Sequence, residues 1–179
     1  METQINNTKL ELIKGDITEQ ETDAVVNAAN DRLAPGGGVA GAIHRAAGPG
    51  LWEECKNLGG CATGEAKITS GHDLPAPWII HTVGPVYSGS LEDPKKLTEC
   101  YRNSLETASQ KGLKSISFPA LSTGAFGYPQ EDAARIALQT VVDFLNKDNS
   151  LELVRFVLFD SQSLHIHEKI LREQLGNSC

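Results

Sequence analysis

The stretch "NAANDRLAPGGGVAGAIHRAAG" (residues 27–48) holds five glycines, seven alanines and only three charged side chains. It contains the spacing G-x-G-x-x-G at Gly36, Gly38 and Gly41. A dinucleotide-binding turn would place these glycines directly after a strand, with an acidic residue about 20 positions further on at the end of the next strand. Here "NDRLAP" intervenes before Gly36, and the region about 20 residues beyond Gly41 reads "CATGE", which is no strand end. A nucleotide-triphosphate loop of the form G-x-x-x-x-G-K-[ST] does not occur in the chain. Two readings remain for Gly36, Gly37 and Gly38: a small-residue turn into a helix, or a cradle whose main chain meets an anion at that helix's N-terminus. A second loop, "STGAFGYP" (122–129), also lies between a strand and a helix. Two amide-rich loops on one sheet edge suggest a diphosphate clamped between them.

Working outward, short apolar runs alternate with segments of helical period. Strands are predicted at 10–14 ("LELIK"), 23–29 ("DAVVNAA"), 64–71 ("GEAKITSG"), 78–85 ("WIIHTVGP"), 115–121 ("SISFPAL") and 151–160 ("LELVRFVLFD"). Helices are predicted from about Val39 to Ala47, from Leu51 to the Gly59-Gly60 stop, from Pro94 to Lys111, from Pro129 through Phe144, and over 164–175. Strands separated by helices predict an α/β fold on a largely parallel sheet, in one domain spanning 1–179. Ligands in such folds bind beyond the carboxyl ends of the strands. That rule selects the loops 15–18, 27–39, 84–90 and 121–128.

Composition removes several classes of function. The net charge is −7 and no run of basic residues occurs, so a surface for duplex nucleic acid is not expected. No apolar run approaches membrane-spanning length and no secretory signal opens the chain, so neither membrane nor export is expected. The cysteines at 55, 61, 100 and 179 form no zinc-ligand spacing and read as reduced thiols of a cytoplasmic protein. No metal is expected.

Within the selected loops, Asp16 either holds an exocyclic amine or caps the turn at Thr18, and capping is the role its position alone favours. Asn27 and Asn30 suit ribose hydroxyls or a backbone bend equally. Phe126, Tyr128 and Phe159 are candidates for stacking. His81, inside an apolar strand, reads as a satisfied interior histidine. His165 and His167 point to different faces of the last helix and make a poor metal pair. Ser122 lacks the G-x-S-x-G setting of a serine nucleophile.

Taken together, "GDIT" (15–18), "NAAN" (27–30), "GGGVAGAIHRAAGP" (36–49), "HTVGP" (81–85) and "FPALSTGAFGYP" (118–129) resemble the macrodomain family, in its MacroD-type branch, over nearly the whole chain. The resemblance implies a three-layer α/β/α fold and binding of ADP-ribose without a cofactor. It also implies hydrolysis of O-acetyl-ADP-ribose and of the ester joining ADP-ribose to acidic side chains of mono-ADP-ribosylated proteins, by a monomer. Carried over, it gives Asp16 and the Ile17 amide the adenine, with Phe159 as its neighbour. Gly36, Gly37, Gly38 and Val39 would wrap the diphosphate together with Ser122, Thr123, Gly124, Ala125 and Phe126. Asn30, and less directly Asn27, would position the distal ribose.

One position departs from that pattern. MacroD-type proteins carry aspartate where this chain has Ala40, in the loop "GGGVAGAIHRAAG". The family's carboxylate is proposed to activate or orient water, and a positioned general base is worth ~10²–10⁴ in rate. Weakened hydrolysis with a preserved pocket is therefore expected. Either the chain is a natural member tuned toward binding, or it is a hydrolase whose aspartate was replaced. The surrounding hydrolase-like residues, including Asn30 and His44, favour the second.

Overall fold

The computed structural model describes residues 1–176. Cys179 lies outside the described residues. A seven-stranded sheet has β1 (Glu2–Ile5), β2 (Thr8–Lys14), β3 (Ala24–Ala28), β4 (Ala66–Ser70), β5 (Trp78–Thr82), β6 (Ser115–Phe118) and β7 (Leu153–Leu158) in the order β1-β2-β7-β6-β3-β5-β4. The strands β2, β7, β6, β3 and β5 run parallel, and β1 and β4 add antiparallel edges. The helices are α1 (Gly38–Ala47), α2 (Pro49–Cys55), α3 (Glu92–Gln110), α4 (Gln130–Leu145) and α5 (Ser161–Gly176).

Both sheet faces are apolar because helices cover both. Leu10, Leu12, Val26, Ile80, Phe118 and Phe156 face α3, α4 and α5, while Val25, Ile79 and Val157 face α1 and α2. The rings of Tyr101, Phe118 and Phe156 meet at 5.2–6.0 Å between centroids, a spacing worth ~0.5–1.5 kcal/mol per pair beyond the area they bury. Burial pushes the Cys55 and Cys100 thiols up to about 11, so they sit in the interior as small protonated apolar groups.

Element boundaries move for identifiable reasons. Residues 2–5 read as polar sequence but form β1, since an edge strand needs only Ile5 inside. Pro129 has ψ 130° and caps α4 rather than opening it. Helix α5 starts at Ser161 rather than 164 because the Asp160 carboxylate accepts from the Ser163 amide at 2.8 Å. Helix α3 starts at Glu92, with Pro94 inside its first turn, where proline's missing N–H costs nothing.

Candidate ligand crevice

The carboxyl ends of the five parallel strands share one edge, and the connections leave it in opposite directions. The chain after β3 enters α1 on one face, whereas the chain after β6 enters α4 on the other. Where neighbouring strands send their helices to opposite faces, a crevice opens between their loops. Here the pairing reinforces it: β3 and β6 are in register only at Ala24–Ile116 and Val25–Ser117, so they part before their carboxyl ends. The loops flanking this gap are 29–37 and 119–129, the two glycine-rich segments.

Both loops present unpaired amides. Gly37, with no side-chain cap, precedes α1, whose first turn has no acidic residue. The first turns of α3 and α4, by contrast, hold Glu92, Asp93, Glu131 and Asp132. Among the described residues the amides of Gly38, Val39 and Ala40 donate to no protein acceptor, and neither do those of Thr123, Gly124, Ala125 and Phe126. The positive end of the α1 dipole is thus uncompensated and faces an edge of free donors. A Cβ added at Gly37, Gly38 or Gly124 would touch nothing within 4 Å, so these glycines border open space. Gly41 is different: its Cβ would lie 2.3 Å from the Gly36 carbonyl oxygen, so glycine there lets α1 seat against its own entry loop.

At the β2/β7 end, the Gly15 amide donates to the Leu158 carbonyl at 2.9 Å and thereby sets Asp16 beside Phe159. Asp16 Oδ1 accepts from the Thr18 amide at 2.9 Å and hydroxyl at 2.7 Å, so the capping role is present, and Oδ2 stays free among the described residues. Ile17 is buried, and the Phe159 ring stands 89% exposed at the mouth. From β2 to β3 is three strand spacings, about 14 Å. That length suits an extended diphosphate ligand.

At the β3 end, Asn30 is largely committed to its own turn. Its Oδ1 accepts from the Arg32 and Ala34 amides at 3.1 and 3.0 Å, and its Nδ2 donates to the Ala34 carbonyl at 2.9 Å. One amide hydrogen remains beside Gly36. Ala40 is buried in the first turn of α1. Asn27 is placed elsewhere than at the open edge: it lies only 1% exposed on the face covered by α1 and α2. Its Nδ2 donates to His81 Nδ1 at 3.0 Å, and His81 Nε2 donates in turn to Thr69 Oγ1 at 2.9 Å. This is the satisfied interior histidine expected, its pKa pushed down to about 3 by burial and then by the nearby His44. His44 is itself buried, which lowers its pKa, and it sits on α1 four residues beyond Ala40.

Two features of the crevice are absent from the sequence reading. The Leu121 amide donates to the hydroxyl of buried Tyr101 at 3.1 Å, fixing the start of the second loop to α3. Ser122 follows with φ 66°, buried, its Oγ without a partner among the described residues. A Cβ on Gly84 would lie 2.1 Å from that oxygen, so the "HTVGP" glycine makes room for Ser122. Only the apolar spacing of Tyr101 and the Gly-Pro pair hinted at these contacts.

A family model described as "Macro domain" matches residues 26–137. An O-acetyl-ADP-ribose deacetylase of Klebsiella pneumoniae is 51% identical, the match covering 90% of this chain and 95% of that protein. The human ADP-ribose glycohydrolase MACROD2 is 48% identical over 92% of this chain, which spans 40% of that longer protein. The Oceanobacillus iheyensis macrodomain solved with ADP superposes with a TM-score of 0.96 at 44% identity, covering 99% of this chain and 97% of that one. With the same fold and about half the sequence in common, the chain belongs to the macrodomain family.

Proposed function

We propose that this chain binds ADP-ribose across the β2–β7–β6–β3 edge. In this reading Asp16 and the Ile17 amide hold the adenine, and Phe159 lies beside it. The diphosphate sits between 36–40 and 122–126, and the distal ribose lies next to Asn30. The observation that carries it is the pair of loops with free amides on either side of the gap where β3 and β6 part. A net charge of −7 fits this arrangement, because dipoles rather than basic side chains hold the anion. Relatives named as an O-acetyl-ADP-ribose deacetylase and an ADP-ribose glycohydrolase support extending the proposal to hydrolysis of O-acetyl-ADP-ribose and of ADP-ribosyl bonds, and the MacroD-type resemblance makes acidic side chains of mono-ADP-ribosylated proteins the proposed site of attachment.

Ala40 lowers the rate of that chemistry and favours a second reading, a non-catalytic reader of ADP-ribose. A methyl group neither accepts a proton nor orients water, and Asn30 has one free amide hydrogen to offer. Single-turnover release of ADP-ribose from a glutamate-modified protein separates the two readings. Ala40→Asp is expected to raise the rate by ~10²–10⁴ if the remaining apparatus is that of a hydrolase. An unchanged rate with ADP-ribose affinity intact would leave the reader.

A further inference from the structure

Beside the crevice, Gly41, His44 and Arg45 fall at i, i+3 and i+4 on one stripe of α1, and Gly48, the residue that ends the helix, follows them. The two glycines leave the stripe bare, and with Gly36 and Trp52 it bounds a groove of about 270 Å³. This groove touches the crevice at Gly36: a Cβ there would lie 3.4 Å from Asn30 Nδ2. Whatever is attached to the distal ribose near Asn30 therefore meets the groove as it leaves the site.

The chemistry of the groove points to carboxylates. The exposed Arg45 guanidinium has neither an ion pair nor a hydrogen bond to any described residue, and the same holds for Arg32 on the Asn30 turn. Arg102 on α3 is likewise unpaired but lies outside the groove, while Arg135, Arg155 and Arg172 are each paired with glutamate at 2.6–3.2 Å. A Cβ on Gly41 would lie 3.0 Å from Arg45 Nη1, so the guanidinium lies along the bare stripe. His44, 7% exposed, lines the floor, and its Nε2 has no partner among the described residues. Trp52 supplies a half-buried aromatic wall. Asp73, 2.9 Å from where a Gly48 Cβ would stand, closes the far end with negative charge. The stretch accepted is consequently short.

We propose that the α1/α2 groove is a subsite for the protein part of the substrate, taking an acidic peptide flank of the ADP-ribosylated residue through Arg45. The proposal rests on the ADP-ribose reading above. Three probes test it by calorimetry: free ADP-ribose, an ADP-ribosylated glutamyl peptide flanked by glutamates, and the same peptide flanked by lysines. The glutamate-flanked peptide is expected to bind ~5–10-fold tighter than the lysine-flanked one, and the preference should shrink as salt rises from low to physiological strength. Arg45→Glu, and more mildly Arg45→Gln, should abolish the preference while free ADP-ribose affinity stays within about twofold. Arg102→Glu, the same charge change on the distant and exposed face of α3, should leave it intact. A preference that survives Arg45→Glu, or none in the unmodified chain, would overturn the subsite. Failure of free ADP-ribose to bind would instead overturn the underlying reading, and the subsite with it.

Discussion

Gly41 shows how much one hydrogen atom in place of a methyl group decides at this site. With the Gly36 carbonyl 2.3 Å from where a Cβ would stand, Gly41→Ala has to push the entry loop off α1. A backbone contact of that kind does not relax cheaply, so the variant should lose ~1–3 kcal/mol in urea denaturation and bind ADP-ribose more weakly. Asp16 carries two tasks on two oxygens. Asp16→Ala removes the cap on Thr18, a loss of ~0.5–2 kcal/mol in stability. It should also erode discrimination of adenine from hypoxanthine nucleotides in competition binding, while Asp16→Asn should restore most of the cap alone. The two asparagines of "NAAN" were indistinguishable as letters. Register separates them: Asn27 pairs with His81 across β3 and β5 and turns inward, while Asn30, beyond the strand end, folds its own loop.

At the scale of elements, helices and central strands were legible because a sheet covered on both faces writes long apolar runs, and α3 and α4 write a clear helical period. The edge strand β1 was not, since its one buried side chain carries no pattern. The loops selected by the strand-end rule all lie at the carboxyl ends of the parallel strands, and β7 adds Phe159 and Asp160 to them. What sequence could not convey was how the second loop is held. Tyr101 lies some twenty residues upstream in α3, yet its hydroxyl accepts from the Leu121 amide. Tyr101→Phe leaves that buried amide without a partner, a loss of ~1–3 kcal/mol. The same change should weaken ADP-ribose binding more than a core truncation of equal stability cost, because it frees the segment that leads into Ser122.

Across the whole molecule, histidine burial sets the response to acid. The pKa values of His44, His81 and His167 are all held below their ordinary value of 6.5, chiefly by burial, so the unfolded chain binds more protons below that pH than the folded one. Stability contributed by keeping them neutral is complete above pH 6.5 and declines as pH falls below it. The slope is ~1.4 kcal/mol per pH unit for each fully responding histidine. Between pH 6.5 and 5 the carboxylates held low, Glu11, Asp93 and Asp148, are mostly ionised in both states, so urea midpoints in that window should fall chiefly from the histidines. A flat profile there would show that these histidines are reached by water. The proposed site rests on the two loops of amides, and the most direct test is a calorimetric titration of ADP-ribose into the chain and into Gly124→Asp. Gly124 borders open space, so the added carboxylate should leave the melting temperature unchanged and, by facing the diphosphate, weaken binding at least ~10-fold. Equal affinity in the two proteins, or no binding of ADP-ribose by the unmodified chain, would contradict the placement of the ligand between these loops.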